Sequence, residues 1–218
     1  MNKKKIIYFL ENSFDYNGKD LDKETIGGSE KTLINISNIL ASEKLFEVKV
    51  FNNTSNPLKV NGVSWKNINE INEIDNPDSV ISMSDANLFN KISSKNNFLW
   101  SHSVQSFEKF IRKKQLFPYL KFKPVMILEG DYHYKTRSFL TSFFGKKILQ
   151  IAPDDDFITT KIDLKYIPPP NAIFTTKSDR NLKFLVDAWH QIKKTSYKSK
   201  LFINPPFLLS EDNKQDDI

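Results

Sequence analysis

The sequence predicts an α/β fold, a parallel sheet covered by helices on both faces, and three observations carry that prediction. The run Ile6-Ile7-Tyr8-Phe9-Leu10 is apolar throughout rather than alternating, which suits a strand buried on both faces. After a polar loop, Leu33, Ile36, Ile39 and Leu40 recur at helical spacing behind the pair Gly27-Gly28. Glu47 to Phe51 is a second strand-like run, so the first part of the chain is a β-loop-α-β unit of the kind whose crossover is right-handed almost without exception.

The remaining elements follow in chain order. The first strand spans Lys5 to Leu10, and the helix starts near Ser29 and ends before Phe46. From Asn52 to Asn76 the chain is rich in asparagine and reads as loops with one short strand around Val63 to Trp65. Ser79 to Met83 predicts the next strand, Asp85 the N-cap of a helix through Ile92, and Asn97 to Trp100 a strand ending at Ser101-His102. A helix from about Val104 to Gln115, an apolar strand from Pro124 to Leu128, a helix near Asp131 to Ser142 and a strand from Lys146 to Ile151 complete a Rossmann-like first domain, residues 1–151.

Residues 152–170 are polar and proline-rich, and Ile167-Pro168-Pro169-Pro170 forces an extended segment suited to a linker. Beyond it come a strand (Ala172 to Thr176), a helix (Arg180 to Lys194) with Leu182, Leu185, Val186 and Trp189 on one face, and a strand (Lys200 to Ile203). Together they make an incomplete second Rossmann-like unit, residues 171–208. The tail, 209–218, is charged and poor in apolar residues, and is expected to be disordered.

Composition narrows the function classes. With 39% hydrophobic residues and 18 Phe the chain can build a packed core. A net charge of +6 attracts anions, but the Lys and Arg residues are dispersed in short clusters such as Arg112-Lys113-Lys114, the pattern of solvated helix faces. Without a recognition-helix motif or an RNP-type aromatic strand, nucleic acid is not an expected partner. The absence of cysteine excludes disulfides and thiolate metal sites and points to a reducing, cytoplasmic compartment. His102, His133 and His190 lack the spacing of a zinc site on one helix, and the apolar run after Lys3-Lys4-Lys5 is too short for a signal peptide or a membrane span.

Chemistry-bearing candidates are few. Glycines at the start of a helix let the backbone approach a phosphate or sugar while exposed N–H groups and the helix dipole favour anions. The spacing around Gly27-Gly28 is neither the dinucleotide fingerprint nor a phosphate-binding Walker loop, and a pair serving only a tight turn is the alternative. His102 follows a strand at the carboxyl end, where open α/β sheets bind ligands; its alternative is a loop bystander. Asp154-Asp155-Asp156 reads as a solvated turn rather than a Mg²⁺ site, because three consecutive carboxylates cannot all face one ion. Tyr132-His133-Tyr134 reads as a helix start packed on the sheet.

The string Ile26-Gly27-Gly28-Ser29-Glu30, followed by Leu33, Asn35-Ile36 and Leu40-Ala41 and then by Phe46-Glu47-Val48-Lys49-Val50, resembles the Gly-Gly-Ala/Ser-Glu opening of family 4 glycosyltransferases. In that family the same helix leads into a His-Glu-Val-Thr-Val strand. The resemblance implies a GT-B fold, with residues 1–151 as the acceptor-side domain and 171–208 as the opening of the donor-side domain. It places the backbone of Gly27, Gly28 and Ser29 at the cleft floor against the donor phosphates or the acceptor, and it makes His102 a residue that orients the transferred sugar. Arg180-Asn181 matches the second of two basic positions that neutralise the departing diphosphate. Thr175 stands where the first is usual, with Lys177 as its substitute.

The implied activity is metal- and cofactor-independent, retaining transfer of a sugar from a nucleotide-sugar donor to a glycan or glycolipid acceptor. The family's Glu-x7-Glu donor motif has no counterpart here, so the expectation is a truncated form, inactive alone. The alternative is a non-catalytic α/β module that binds a glycan or a partner protein. Further expected partners are the inner face of a membrane, touched peripherally, and a second copy or another chain that covers the inter-domain surface.

Overall fold

In the computed structural model, which describes residues 3–23, 26–71, 76–103, 106–128, 130, 133, 135, 139, 147–149, 170–174 and 181–203, the first apolar run is strand β1 (Lys5–Leu10). Helix α1 (Gly28–Ser42) leads to β2 (Phe46–Asn52), and a short hairpin of β3 (Leu58–Val60) and β4 (Val63–Asn67) follows. Then come β5 (Ser79–Met83), β6 (Asn96–Ser101), helices α2 (Phe107–Arg112) and α3 (Leu116–Phe122), β7 (Val125–Leu128) and β8 (Lys147–Leu149). These strands form one sheet in the order β3-β4-β2-β1-β5-β6-β7-β8, parallel except for the antiparallel edge pair β3–β4. The expected α/β architecture, a Rossmann-like parallel sheet flanked by helices, is present.

Side chains of β1 alternate between two cores. Tyr8 and Leu10 join Phe51, Val80, Leu99, Phe110 and Tyr119 on one face; Ile7 and Phe9 join Leu33, Ile34, Val48, Val50 and Trp100 on the other. The continuous apolar run is therefore the consequence of a strand with no solvent face. Each fully buried side chain of this size contributes about 1.5–3 kcal/mol relative to exposure.

Three stretches differ from the sequence expectation. Leu58–Val60, expected as loop, pairs antiparallel with β4 across Asn61-Gly62, whose φ angles of 50° and 81° give the left-handed two-residue turn that Asn-Gly favours. Asp85 does cap the next turn, its carboxylate accepting from the Asn87 N–H at 2.9 Å, but Ala86–Asn90 is a short 3-10 helix rather than an α-helix. The single helix expected up to Gln115 is two. Lys114, at φ 54°, reverses the chain after α2, and α3 restarts with Pro118 in its first turn, where the missing N–H has no helical acceptor to lose.

The chain divides into two units, residues 1–152 and 153–218. The second contains β9 (Asn171–Phe174), α4 (Leu182–Thr195) and β10 (Lys200–Ile203), with β9 and β10 paired in parallel, a single βαβ step. Leu182, Leu185 and Trp189 of α4 are half-buried, whereas Val186, expected on the same face, is exposed. The expected helix at 131–142 lies largely outside the described residues, as does the 152–170 linker, and the 209–218 tail lies wholly outside them. No helix among the described residues is long and apolar enough to cross a membrane.

Gly62 sits at φ +81°, and an added Cβ would come 3.3 Å from that of Ala41. Gly62→Ala should destabilise the first unit by about 1–2 kcal/mol, seen as a lower urea midpoint at unchanged slope.

Candidate functional site

Strand order reverses at β1: α1 carries the chain to β2 on one side, while β5 and then β6 and β7 extend the other. Loops leaving the carboxyl ends of β1 and β5 therefore diverge, and a crevice opens between them, the position at which open α/β sheets hold ligands. Here the crevice has a volume of about 380 Å³. Glu11 and Asn12 enter it from β1, Met83, Ser84 and Asp85 from β5, and His102 from β6. Ser29 and Glu30 come from the first turn of α1, Lys109 comes from α2, and Lys113 is the residue that ends it.

Hydrogen bonds tie these loops together. The Asp85 carboxylate accepts from Asn12 Nδ2 and from Asn87 Nδ2, each at 2.9 Å, and so bridges the two diverging loops. Buried Gln115 donates to the Ser84 carbonyl at 3.2 Å and accepts from the Ala86 N–H at 3.3 Å. Ser84, at φ 56°, donates its N–H to the Trp100 carbonyl at 2.8 Å, and its hydroxyl accepts from the His102 N–H at 3.4 Å. His102 is thus fixed by its backbone to the β5 loop, and its ring lies against Trp100 with centroids 5.2 Å apart. Ser103 is a second junction, its carbonyl held by His133 Nε2 at 2.7 Å and its hydroxyl by Lys109 Nζ at 2.5 Å.

The floor is acidic. Glu11, the residue after β1, continues the ladder by donating its N–H to the Phe51 carbonyl at 3.0 Å, and this draws its carboxyl inside, where it is only 7% exposed. Burial pushes that carboxyl above the usual range; bonds from Ser13, including its N–H at 2.7 Å, pull partly the other way, and the Glu30 charge adds to the rise. Tyr16 is held beside it by the edge of Trp65, with centroids at 5.8 Å, and by Asn52 Nδ2 on its carbonyl at 2.8 Å. Its phenol is pushed up by burial and by the charges of Glu11 and Glu30. The opposite wall is basic: Lys109 is held below the usual ammonium range by burial and then by its neighbours Lys113 and Arg112.

Of the residues that the sequence marks, Ser29 and His102 meet in this crevice. Gly27 and Gly28 form the adjoining start of α1, and a tight turn does not explain them. Gly27 has φ −74° and ψ 166°, ordinary extended backbone, and Gly28 is helical with φ below zero. What marks them is space: a Cβ on Gly27 would overlap the Glu30 carboxylate, and one on Gly28 would meet nothing within 4 Å. Asn181 lies in the second unit as the left-handed residue before α4, its carbonyl accepting from the Leu185 N–H at 3.1 Å. Lys177, Arg180 and Asp154 to Asp156 lie outside the described residues.

Glu11, Tyr16, Lys109 and Lys113 line the crevice although no sequence motif marks them, and Glu30 lines it as the last residue of the Gly-Gly-Ser-Glu string. Glu11 and Ser84 carry one usable signal, their place directly after the ends of strands β1 and β5. No group of three or more His, Asp or Glu among the described residues could hold a metal ion. No protein-family model matches the chain, and no curated protein matches it.

Because a Cβ at position 28 enters open space within a helix, Gly28→Ala should raise the stability of α1 by up to about 1 kcal/mol. The same methyl would obstruct a ligand approaching the helix N-terminus. Thermal melting together with ligand titration separates the two effects: a turn-forming glycine would lose stability instead. Glu11→Gln tests the floor. A carboxyl whose folded pKa lies above its ordinary 4.5 favours the fold fully below that pH and loses this contribution as pH rises through the folded value. Melting curves should therefore place the Gln variant above the parent at neutral pH, with the gap closing in acid.

Proposed function

We propose that the chain is a glycosyltransferase-like protein that transfers a sugar, with retention of configuration, from a nucleotide-sugar donor to a glycan or glycolipid acceptor. The observation that carries this reading is the meeting of Ser29 and His102, from different elements, in one crevice at the strand-order reversal. Both are residues that the resemblance to family 4 glycosyltransferases assigns to the cleft. His102, steadied by Trp100, presents an imidazole to a sugar hydroxyl, a positioning role that needs no covalent step. The open N-terminus of α1 suits a phosphate.

In this reading Arg180, aided by Lys177 and Asn181, offsets the charge that develops on the departing diphosphate, and neither metal nor cofactor is required. Thr175 at the first basic position favours a second reading, a non-catalytic module that holds a glycan or a partner chain. Under either reading the protein works on the cytoplasmic side, peripherally at the inner face of the membrane, alone or with a second chain.

Calorimetric titration with nucleoside diphosphates and nucleotide sugars, followed by assays of donor hydrolysis and transfer, decides between the two. Saturable donor binding that Arg180→Ala weakens about tenfold or more, with turnover lost in His102→Ala, supports the transferase. A folded chain that binds saccharide but no nucleotide would leave only the binding module.

A further inference from the structure

Helices α2 and α3 and the turn between them carry an exposed surface that the crevice does not use. Phe107 is 43%, Ile111 52% and Phe117 72% exposed, and Phe139, whose ring centroid lies 6.3 Å from that of Phe107, is 63% exposed. Apolar side chains exposed singly are ordinary, as Phe14, Ile39 and Leu45 are elsewhere in the first unit; several gathered on one short segment mark a contact surface. Anchoring the helices does not require them. Phe110 and Tyr119, both fully buried, already hold α2 and α3 to the core.

The turn brings the set together. The Lys114 N–H donates to the Ile111 carbonyl at 2.9 Å and the Gln115 N–H to the Phe110 carbonyl at 2.8 Å, the two bonds that close a helix through a left-handed residue. The Gln115 carbonyl then accepts from the Tyr119 N–H at 3.0 Å and starts α3. Ile111, Arg112, Lys113, Lys114 and Phe117 are thereby exposed around one corner, with Phe107 one helical turn from Ile111 and Lys121 one turn from Phe117. The only acidic residue between Phe107 and Lys123 is Glu108, paired with Arg112 at 3.1 Å. A helix face that meets only water commonly alternates the signs of its charges; this one alternates cations with apolar side chains.

We propose that this corner docks the protein on an anionic lipid bilayer, with Phe107, Ile111 and Phe117 entering the boundary between headgroups and acyl chains while Arg112, Lys114, Lys121 and Lys123 meet lipid phosphates. Cations draw a protein to such a boundary, and apolar side chains hold it there. A single-stranded nucleic acid would use the same cations but would stack its bases on aromatic faces; Ile111 offers none, and the ring of Phe107 is tilted 38° against Phe139. The same short helix lends Lys109 to the crevice, so docking sets the crevice beside the lipid surface. The proposal gives a location to the peripheral membrane contact of the transferase reading; it rests on that reading for what the crevice does there, not for the docking.

The test sediments the full chain with vesicles of phosphatidylcholine, alone or mixed in equal parts with phosphatidylglycerol. It should bind the mixed vesicles about tenfold or more tightly than the neutral ones, and added salt should weaken that binding. Phe117→Ser should lower affinity for the mixed vesicles about fivefold or more, as should Lys114→Gln combined with Lys121→Gln. Leu45→Ser, at a comparably exposed side chain between α1 and β2, should leave it unchanged, with melting curves showing that each variant folds. In Phe117→Trp the mixed vesicles should shift tryptophan emission to the blue beyond any shift in the parent, a signal that attraction between charges alone does not produce. No binding, equal binding to both kinds of vesicle, affinity unchanged in Phe117→Ser, or tighter binding to a single-stranded oligonucleotide than to the mixed vesicles overturns the proposal. Vesicle binding without transfer from any nucleotide sugar keeps it and removes the transferase reading. Transfer by a chain that binds no vesicle removes the proposal alone.

Discussion

Everything in the first unit depends on β1 being paired in parallel on both sides, with β2 in register from Lys5 to Leu10 and with β5 from Ile7 to Leu10. A strand so placed has no edge and no solvent face, and its side chains must feed two cores at once, which is why Tyr8 and Phe9 are both fully buried while pointing opposite ways. The chain reaches β2 over one face of the sheet and builds β5, β6 and β7 outward on the other side. Right-handed crossovers in opposite directions then leave a gap above β1 that no helix fills. The crevice is a by-product of topology, and the residues just past the strand ends acquire their environment from it.

Much of this fold is legible in the sequence. The bounds of β1 and β5 coincide with the runs that the sequence marks, because buried parallel strands leave little reason for polar interruption. Leu58–Val60 does not show itself in the same way, because three residues are too few for a periodicity, although Asn61-Gly62 holds the turn signal. The break between α2 and α3 is hidden for another reason: Lys114 takes a left-handed conformation that neither Gly nor Pro announces, and only the packing of Phe110 and Tyr119, with ring centroids 4.9 Å apart, over-determines it.

The site divides along the same line. Ser29 and His102 can be read from the sequence because their significance follows from position alone, one in the first turn of a helix and one after a strand. Glu11 and Tyr16 cannot, since their character comes from neighbours distant in sequence: Phe51, Asn52 and Trp65 hold them in place, and Glu30 sharpens their field. Gly27-Gly28 is legible as a feature but open as to cause, and only the dihedral angles separate a turn from a clearance.

A buried carboxylate of this kind is an argument about function in its own right. Asp85 has partners for both of its oxygens from Asn12 and Asn87, whereas Glu11 is held through one oxygen by Ser13 and lies beside the Tyr16 phenol. Glutamine would keep the Ser13 bond without the cost of burying a charge, so stability alone does not account for glutamate at this position. Lys109 bears a cost of the opposite sign, depressed first by burial and then by the charges of Lys113 and Arg112, while its ammonium donates to the Ser103 hydroxyl at 2.5 Å. Acid at the floor and base at the rim each carry a cost of burial that the diverging loops impose, and the crevice keeps the two signs of charge on opposite walls.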